Sequence, residues 1–346
     1  MDATTVAIDL AKDVFEIALA DANHRIIKRL RLSRGDFALL PHSLSPATVV
    51  MEACATSHYW ARLFREAGHS VRLLPAHYVR PYRKRNKTDR ADAAALVQAA
   101  RDPDILPVAI KTEYQQSIMA LHRIRSAWVA TRTARINLVR GLLREFGILL
   151  PSGAANVIPG ALVALSDRAL PLSFVEGLLP AIDEIRELDA RIDALDKQLA
   201  ALARQSKDAT RLQSIPGIGV MTATALAASV GDAQQFRSGR HMASWLGLTP
   251  RESSSGSKRH LGSISKRGDV YLRKLLIHGA RSALLQAKRV AKREPGELTK
   301  LQAWVLALEQ RVGHNKAAVA LANKIARIAW AIWRHDRPFN GSFAAA

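Results

Sequence analysis

Short apolar runs and amphipathic stretches alternate through the first hundred residues. Residues 4–9, 14–20, 24–32, 47–51 and 71–75 are β-branched or apolar enough to predict strands, and 36–40 and 58–67 carry helical spacing between them. The order βββαβαβ fits a mixed sheet of the ribonuclease-H-like kind. It fits half of an actin-like ATPase less well, because no glycine-rich phosphate loop accompanies the first strands. From 112 to 146 the pattern is one long helix, with Leu121, Ile124, Trp128, Leu138 and Leu142 at helical spacing. Residues 178–202 give the cleanest period in the chain: Leu178, Ala181, Ile185, Leu188, Ile192, Leu195, Leu199 and Leu202 step by threes and fours as a heptad seam. Pro180 is tolerated best in a first helical turn, so this helix is expected to begin near 178. The seam suits either an intermolecular coiled coil or an antiparallel hairpin with the earlier long helix. Beyond 208 the pattern is helical and punctuated by glycine, with helices expected at 209–213, 221–230, 240–246, 269–292, 296–311 and 316–333. Three segments result: 1–110 (α/β), 111–207 (long helices) and 208–346 (mainly α).

Charge narrows the partner. The 346 residues hold 51 Lys+Arg against 30 Asp+Glu, a formal net charge of +21, which points to a polyanion and most simply to nucleic acid. The excess is uneven: +4 over 1–110, +5 over 111–173, −2 over 174–207 and +14 over 208–346. One cysteine excludes a disulfide scaffold and any multi-cysteine metal site. No apolar run approaches a membrane span, and the N-terminus lacks a signal-peptide pattern, so a soluble protein of a reducing compartment is expected.

Acids stand out against this basic background. Asp9 ends the first predicted strand and Glu52 ends the fourth, which places both at one sheet edge. A carboxylate at the end of a buried strand is costly unless paired or bound to a cation. Asp89 and Asp92, three apart at the start of an apparent helix, share one face. A simpler role for that pair is an N-cap at Asp89 completed by Asp92. Four clustered hard oxygens fit Mg²⁺, or Mn²⁺ as a substitute, held with waters and a phosphate. Two such ions could serve phosphoryl transfer.

Basic and serine-rich segments supply the complement. Arg80, Arg83, Lys84, Arg85, Lys87 and Arg90 lead into the last two acids, with Tyr78 and Tyr82 among them. They read as a phosphate-steering strip or as a solvated loop. Ile215-Pro216-Gly217-Ile218-Gly219 has the spelling of a helix-hairpin-helix, in which backbone N–H groups bind a phosphate. Four serines (Ser253, Ser254, Ser255 and Ser257) crowd around Gly256 between Arg251 and Lys258-Arg259. This is either a flexible polar loop or a hydroxyl nucleophile beside cations, and composition cannot choose among the four. Ser265-Lys266-Arg267-Gly268-Asp269 opens the next helix as a second candidate clamp.

Read together and in order, the segments Ile8-Asp9-Leu10-Ala11-Lys12, Met51-Glu52-Ala53-Cys54, Asn86-Lys87-Thr88-Asp89-Arg90-Ala91-Asp92-Ala93, Ile215-Pro216-Gly217-Ile218-Gly219, Leu246-Gly247-Leu248-Thr249-Pro250-Arg251, Ser255-Gly256 and Ser265-Lys266-Arg267-Gly268 are specific. The chain resembles, almost end to end, the DEDD transposases of insertion sequences in the IS-one-ten group, and its serine loop is most similar to the IS-eleven-eleven branch. The resemblance implies a RuvC-like N-terminal domain, a coiled-coil segment and a C-terminal transposase domain with a helix-hairpin-helix. It implies that Asp9, Glu52, Asp89 and Asp92 bind Mg²⁺ and that Ser255, the serine just before a glycine, attacks a DNA phosphodiester through a transient phosphoserine link. It further implies a homo-oligomer, dimer or tetramer, in which domains of different subunits complete one site. Donor and target DNA would be selected by a bridging guide RNA in the bacterial cytoplasm, the protein reading RNA shape while base pairing reads sequence. Nucleic-acid contacts are expected from Arg83, Lys84, Arg85, Lys87, Gly217, Gly219, Arg251, Lys258, Arg259, Lys266 and Arg267. One departure is Ala55, where the family often has glycine. Two other readings compete: a metal-dependent junction nuclease that needs no serine, and a non-catalytic basic nucleic-acid binder.

Overall fold

The computed structural model describes residues 4–83, 88–167 and 169–340. The chain divides into two compact units, Met1–Thr112 and Glu113–Ala346, so the helical segment from 113 and the C-terminal segment together make up the second.

The first unit runs β1 (Thr5–Asp9), β2 (Val14–Ala20), β3 (Ile26–Ser33), α1 (Arg34–Ser43), β4 (Thr48–Glu52), α2 (Ser57–Glu66), β5 (Ser70–Leu74), α3 (Ala76–Val79) and, after a short 3₁₀ turn, α4 (Asp89–Ala99). The five strands form one sheet in the order β3-β2-β1-β4-β5. β1 is antiparallel to β2 and parallel to β4, so the sheet is mixed, as the strand–helix order predicted. Alternation along β1 sorts the two faces. Val6 and Ile8 join Phe15, Met51, Phe37, Trp60 and Phe64 under α1 and α2. Ala7 joins Ala18, Ala20 and Val50, and these small side chains let α4 lie close with Ala93, Leu96 and Val97. Both faces of the central strands are therefore covered. An aromatic cluster fixes the first layer: Phe15 stacks on Phe37 at 4.1 Å, and Trp60 meets Phe37 edge-on at 4.6 Å.

The second unit contains α5 (Glu113–Glu145), α6 (Val157–Asp167), α7 (Leu172–Gln205), α8 (Lys207–Leu212), α9 (Val220–Val230), α10 (Gly239–Trp245), the hairpin β6 (Pro250–Glu252) and β7 (Leu261–Ile264), then α11 (Val270–Arg293), α12 (Lys300–Val312) and α13 (His314–His335). α5 and α7 form an antiparallel pair. Its direction is written in three ion pairs, Arg125–Asp196, Arg132–Asp189 and Arg135–Glu184, whose numbers run oppositely along the two helices. Half-exposed pairs of this kind contribute little individually. The apolar seam does more: Leu178, Ile182, Ile185, Leu188, Ile192, Leu195, Leu199 and Ala203 are all buried within the single chain. Of the two arrangements open to the heptad, this chain adopts the hairpin. Beyond it, α8–α13 enclose a core built on Leu226, Leu272, Leu276, Leu321 and Ile325. Among the described residues no helix is long and apolar enough to cross a membrane.

Several expectations need correction. α7 begins at Leu172, not near 178, and carries Pro180 inside it. Pro180 lies on the exposed face, where the carbonyl of exposed Glu176 that loses its helical partner can bond water. At the N-terminal end of the seam Ile182 takes the buried place expected of Ala181, which is only partly covered. On α5 the buried stripe is Ile118, Met119, His122, Ile136, Val139 and Leu143. Ile124 and Leu138 are 41% and 45% exposed, because this helix is apolar on more than one side and its core face lies one residue away from the expected one. The helix expected from 296 starts instead at Lys300, where Thr299 and Gln302 form a reciprocal capping box.

Two glycines decide how α11 meets the turn between α8 and α9. Gly217 has φ +91, and a Cβ built on Gly279 would stand 1.9 Å from the Gly217 carbonyl oxygen, backbone against backbone. Gly279→Ala should therefore lower stability by about 2–3 kcal/mol in a denaturant titration. Gly141→Ala, on the exposed side of α5 with open space around it, should raise stability by up to ~1 kcal/mol. Equal effects would disprove the close contact.

Candidate active site

Parallel pairing of β1 with β4 puts Ile8 opposite Met51, so the next residues, Asp9 and Glu52, leave the sheet side by side at one edge. α4 brings its first turn to the same place. Thr88, not Asp89, is the N-cap, its hydroxyl accepting the Ala91 N–H at 3.2 Å. Asp89 thus occupies the first helical position and Asp92 the fourth, one turn apart on one face. Asp92 is 8% exposed while Asp89 is open to solvent. The four acids feel one another: burial first, then Asp92, Asp89 and Glu52, push the Asp9 carboxyl up to about 6, against an opposing pull from Arg83.

Arg83 sits among them. Its Nη2 donates to Glu52 Oε2 at 3.3 Å, and its Nε stands 2.8 Å from Asp92 Oδ1. That second approach is an ion contact without hydrogen-bond alignment, leaving a buried carboxylate oxygen with no hydrogen bond. Among the described residues no three His, Cys, Asp or Glu side chains are placed to hold a metal ion together. In donor chemistry the edge nevertheless suits a divalent cation: all oxygens, an unsatisfied buried acceptor and unrelieved negative crowding. Lys84, Arg85 and Lys87 lie outside the described residues. The sequence placed Arg83 with the nucleic-acid contacts and gave no sign of its pairing with Glu52 and Asp92.

The serine-rich segment is a hairpin, not an irregular loop. β6 and β7 pair, and Ser255 and Lys258 exchange backbone hydrogen bonds at 3.2 Å around Gly256-Ser257. Gly256 has φ +57 at the first central position, as a II′ turn requires. Ser255 therefore sits at the last pair before the tip and is exposed. Ser254 is otherwise engaged: its hydroxyl donates to Glu252 Oε1 at 2.8 Å and accepts from the His260 N–H at 3.2 Å. That bond, with Arg259 beside it, holds the Glu252 carboxyl below its usual range. Arg251, Lys258, Arg259, Lys266 and Arg267 are all exposed around the hairpin.

The hairpin's base is built differently from its tip. Arg273, 8% exposed, is the only buried Lys or Arg among the described residues. It donates through Nη1 to the carbonyls of Leu246 at 3.2 Å and Arg267 at 2.9 Å, tying together the turns that precede β6 and follow β7. Lys266 adopts φ +56 and gives its N–H to Gly247, and Ser265 gives its N–H to Thr249. By sequence Arg273, with Lys274 and Arg281, belongs to a helix start expected to clamp a phosphate or strand; in the structure its buried guanidinium is committed to backbone carbonyls instead. The signal for that burial was its place three and seven residues before Leu276 and Ala280 on the buried stripe of α11.

The turn 213–219 lines an open groove with Thr222, Gly279 and Ser282. Gly219 caps α9 without a side chain, so the first N–H groups of α9 lack a side-chain acceptor. Gly217 is committed to packing on Gly279.

Two family models match this chain. A DEDD transposase model of the IS110 type matches residues 6–148, and a model described as "Transposase IS116/IS110/IS902 family" matches 209–294. The chain is 42% identical over 335 residues to a probable family 20 transposase of Pseudomonas aeruginosa, covering 96% of this chain and 97% of that one. It is 40% identical over 333 residues to the transposase for insertion sequence element IS1111A of Coxiella burnetii, covering 96% and 90%. It is 26% identical over 360 residues to a pilin gene-inverting protein of Moraxella bovis, covering 98% of each. The class is thus an insertion-sequence transposase. Within that class, the chain belongs to the IS116/IS110/IS902 family.

A carboxyl held above its ordinary value opposes folding once it ionises. For Asp9 that cost is absent below about pH 3.8, grows toward pH 6 and is complete above it. Asp9→Asn should therefore raise the stability of the metal-free protein at pH 8 by about 1–2 kcal/mol, a figure reduced for partial solvent access. It should change little at pH 4. Thermal melts in a chelator at the two pH values check this, and a gain independent of pH would contradict the assignment.

Proposed function

We propose that this transposase cuts and rejoins DNA by transesterification at Ser255, assisted by a divalent cation, Mg²⁺ or Mn²⁺, held at Asp9, Glu52, Asp89 and Asp92. The observation that carries the reading is the convergence of four carboxylates at one edge of the mixed five-stranded sheet, three of which raise the pKa of Asp9. When bound, the cation supplies Lewis-acid stabilisation of charge developing on phosphate oxygens.

The remaining work falls to the chain's own residues. Ser255 Oγ attacks phosphorus, the bond to the leaving sugar oxygen breaks, and the serine hydroxyl proton is released as that oxygen gains one. The phosphoserine diester conserves one phosphodiester equivalent, so the reverse attack by a DNA hydroxyl rejoins strands without an energy source. Arg251, Lys258 and Arg259 flank the hairpin and Lys266 and Arg267 its base, where they neutralise backbone phosphates. Gly219 and the uncapped start of α9 support phosphate binding in a helix-hairpin-helix manner. Arg273 keeps the base rigid while the tip stays open.

The proposal includes a homo-oligomer on donor and target DNA and a guide RNA whose pairing selects both. The +14 charge of residues 208–346 supports a large nucleic-acid surface. RNA that co-purifies with the protein and pairs with the element's ends is the expected partner.

Trapping of the covalent intermediate tests the chemistry. Wild type carrying its co-purified RNA, incubated with supercoiled donor DNA and Mg²⁺, should yield a protein–DNA adduct stable to denaturant. Ser255→Ala should lose it at least 10³-fold while keeping DNA affinity within about threefold. An undiminished adduct in Ser255→Ala would remove Ser255 from the role, and cleavage without any adduct would favour water as the nucleophile.

A further inference from the structure

The acidic edge already carries a cation of its own. Arg83 reaches Glu52 on β4 at 3.3 Å and Asp92 on α4 at 2.8 Å with one guanidinium. It spans two separate elements and two of the four proposed ligands. It is about three-quarters covered, as is the Glu52 side chain, so this is no solvent-screened surface pair. Its hold is electrostatic more than geometric, since Arg83 Nε and Asp92 Oδ1 are both buried and neither completes a hydrogen bond. The backbone just before it is pinned: Tyr82 gives its hydroxyl to Asp102 at 2.9 Å, and Arg83 itself is extended at φ −70, ψ 129. A change of side-chain rotamer is then enough to withdraw the guanidinium.

A divalent cation and this guanidinium compete for the same oxygens. Both draw on Glu52 and Asp92, and two cations sharing that small space repel each other. We propose that Arg83 is the resident counter-cation of the metal-free acidic edge and that metal binding and Arg83 release are one exchange. Arg83 thereby holds four mutually repelling acids in place before metal arrives, and it sets a threshold of metal concentration below which the edge remains closed. Arg31 offers the contrast: it pairs with Glu16 on the same sheet at 3.5 Å but is mostly in solvent, and neither partner is one of the four acids. This inference rests on the metal reading of the four carboxylates.

Two measurements on the full-length chain test it. The first is calorimetric titration with Mn²⁺ of wild type, Arg83→Gln, Arg83→Lys and Arg31→Gln. Arg83→Gln should bind Mn²⁺ about tenfold more tightly than wild type and melt at lower temperature without metal. Arg83→Lys, which keeps the charge, should stay near wild type, and Arg31→Gln should match it. The second needs no variant: with arginine Nε labelled by ¹⁵N, the Arg83 resonance in wild type should shift as Mg²⁺ is added, in step with metal occupancy. Unchanged or weaker Mn²⁺ binding by Arg83→Gln, or an Arg83 resonance indifferent to Mg²⁺ while metal binds, would overturn the exchange alone. A wild type that binds no Mn²⁺ would overturn the metal reading and the exchange with it.

Discussion

Like charge confined at the end of a buried strand is the constraint on which the rest of this molecule depends. β1 and β4 must be apolar to lie in the middle of a sheet covered on both faces, yet each ends in an acid, and α4 adds two more. Such an arrangement is unfavourable by itself, as the upward push on the Asp9 carboxyl shows. It persists because the surroundings over-determine it. Ladder pairing fixes Asp9 beside Glu52, alanines on the second face admit α4, and Thr88 caps the helix so that Asp92 turns inward. Stored repulsion of this kind is a common mark of sites that act on charged substrates.

The second unit solves a different problem, that of keeping an exposed group in a defined place. A hairpin of two short strands has little stability alone. Here its tip is exposed while its base is held by a buried guanidinium on two carbonyls and by glycines that allow backbone contact. Gly247 and Gly268 would each drive a Cβ into backbone atoms across that base. Rigidity at the foot and openness at the tip suit a hydroxyl that must meet a bulky polyanion, which is the role proposed for Ser255.

Much of this was legible in the sequence. Short β-branched or apolar runs located all five strands of the sheet to within two residues, since burial on both faces of the central strands demands unbroken apolar runs. The acids at strand ends were visible for the same reason. What escaped depended on tertiary choice. α5 has apolar residues on several sides, and only α7 and the core beyond it select Ile136 and Val139 over Leu138. Pro180 inside α7 is tolerated by surface placement, which one-dimensional pattern does not encode. Arg83 and Arg273 look like any other basic residues in a chain rich in them. Their roles come from what lies across space: two carboxylates for one, two carbonyls for the other.

The central claim is that the acidic edge is a divalent-cation site from which Arg83 withdraws. Anomalous scattering from crystals of the full-length protein grown with Mn²⁺ tests it most directly. The account predicts a peak ringed by oxygens of Asp9, Glu52 and Asp92, with Asp89 beside it and the Arg83 guanidinium turned away. A peak elsewhere, or an edge without metal in which Arg83 still bridges Glu52 and Asp92 at saturating Mn²⁺, would contradict it.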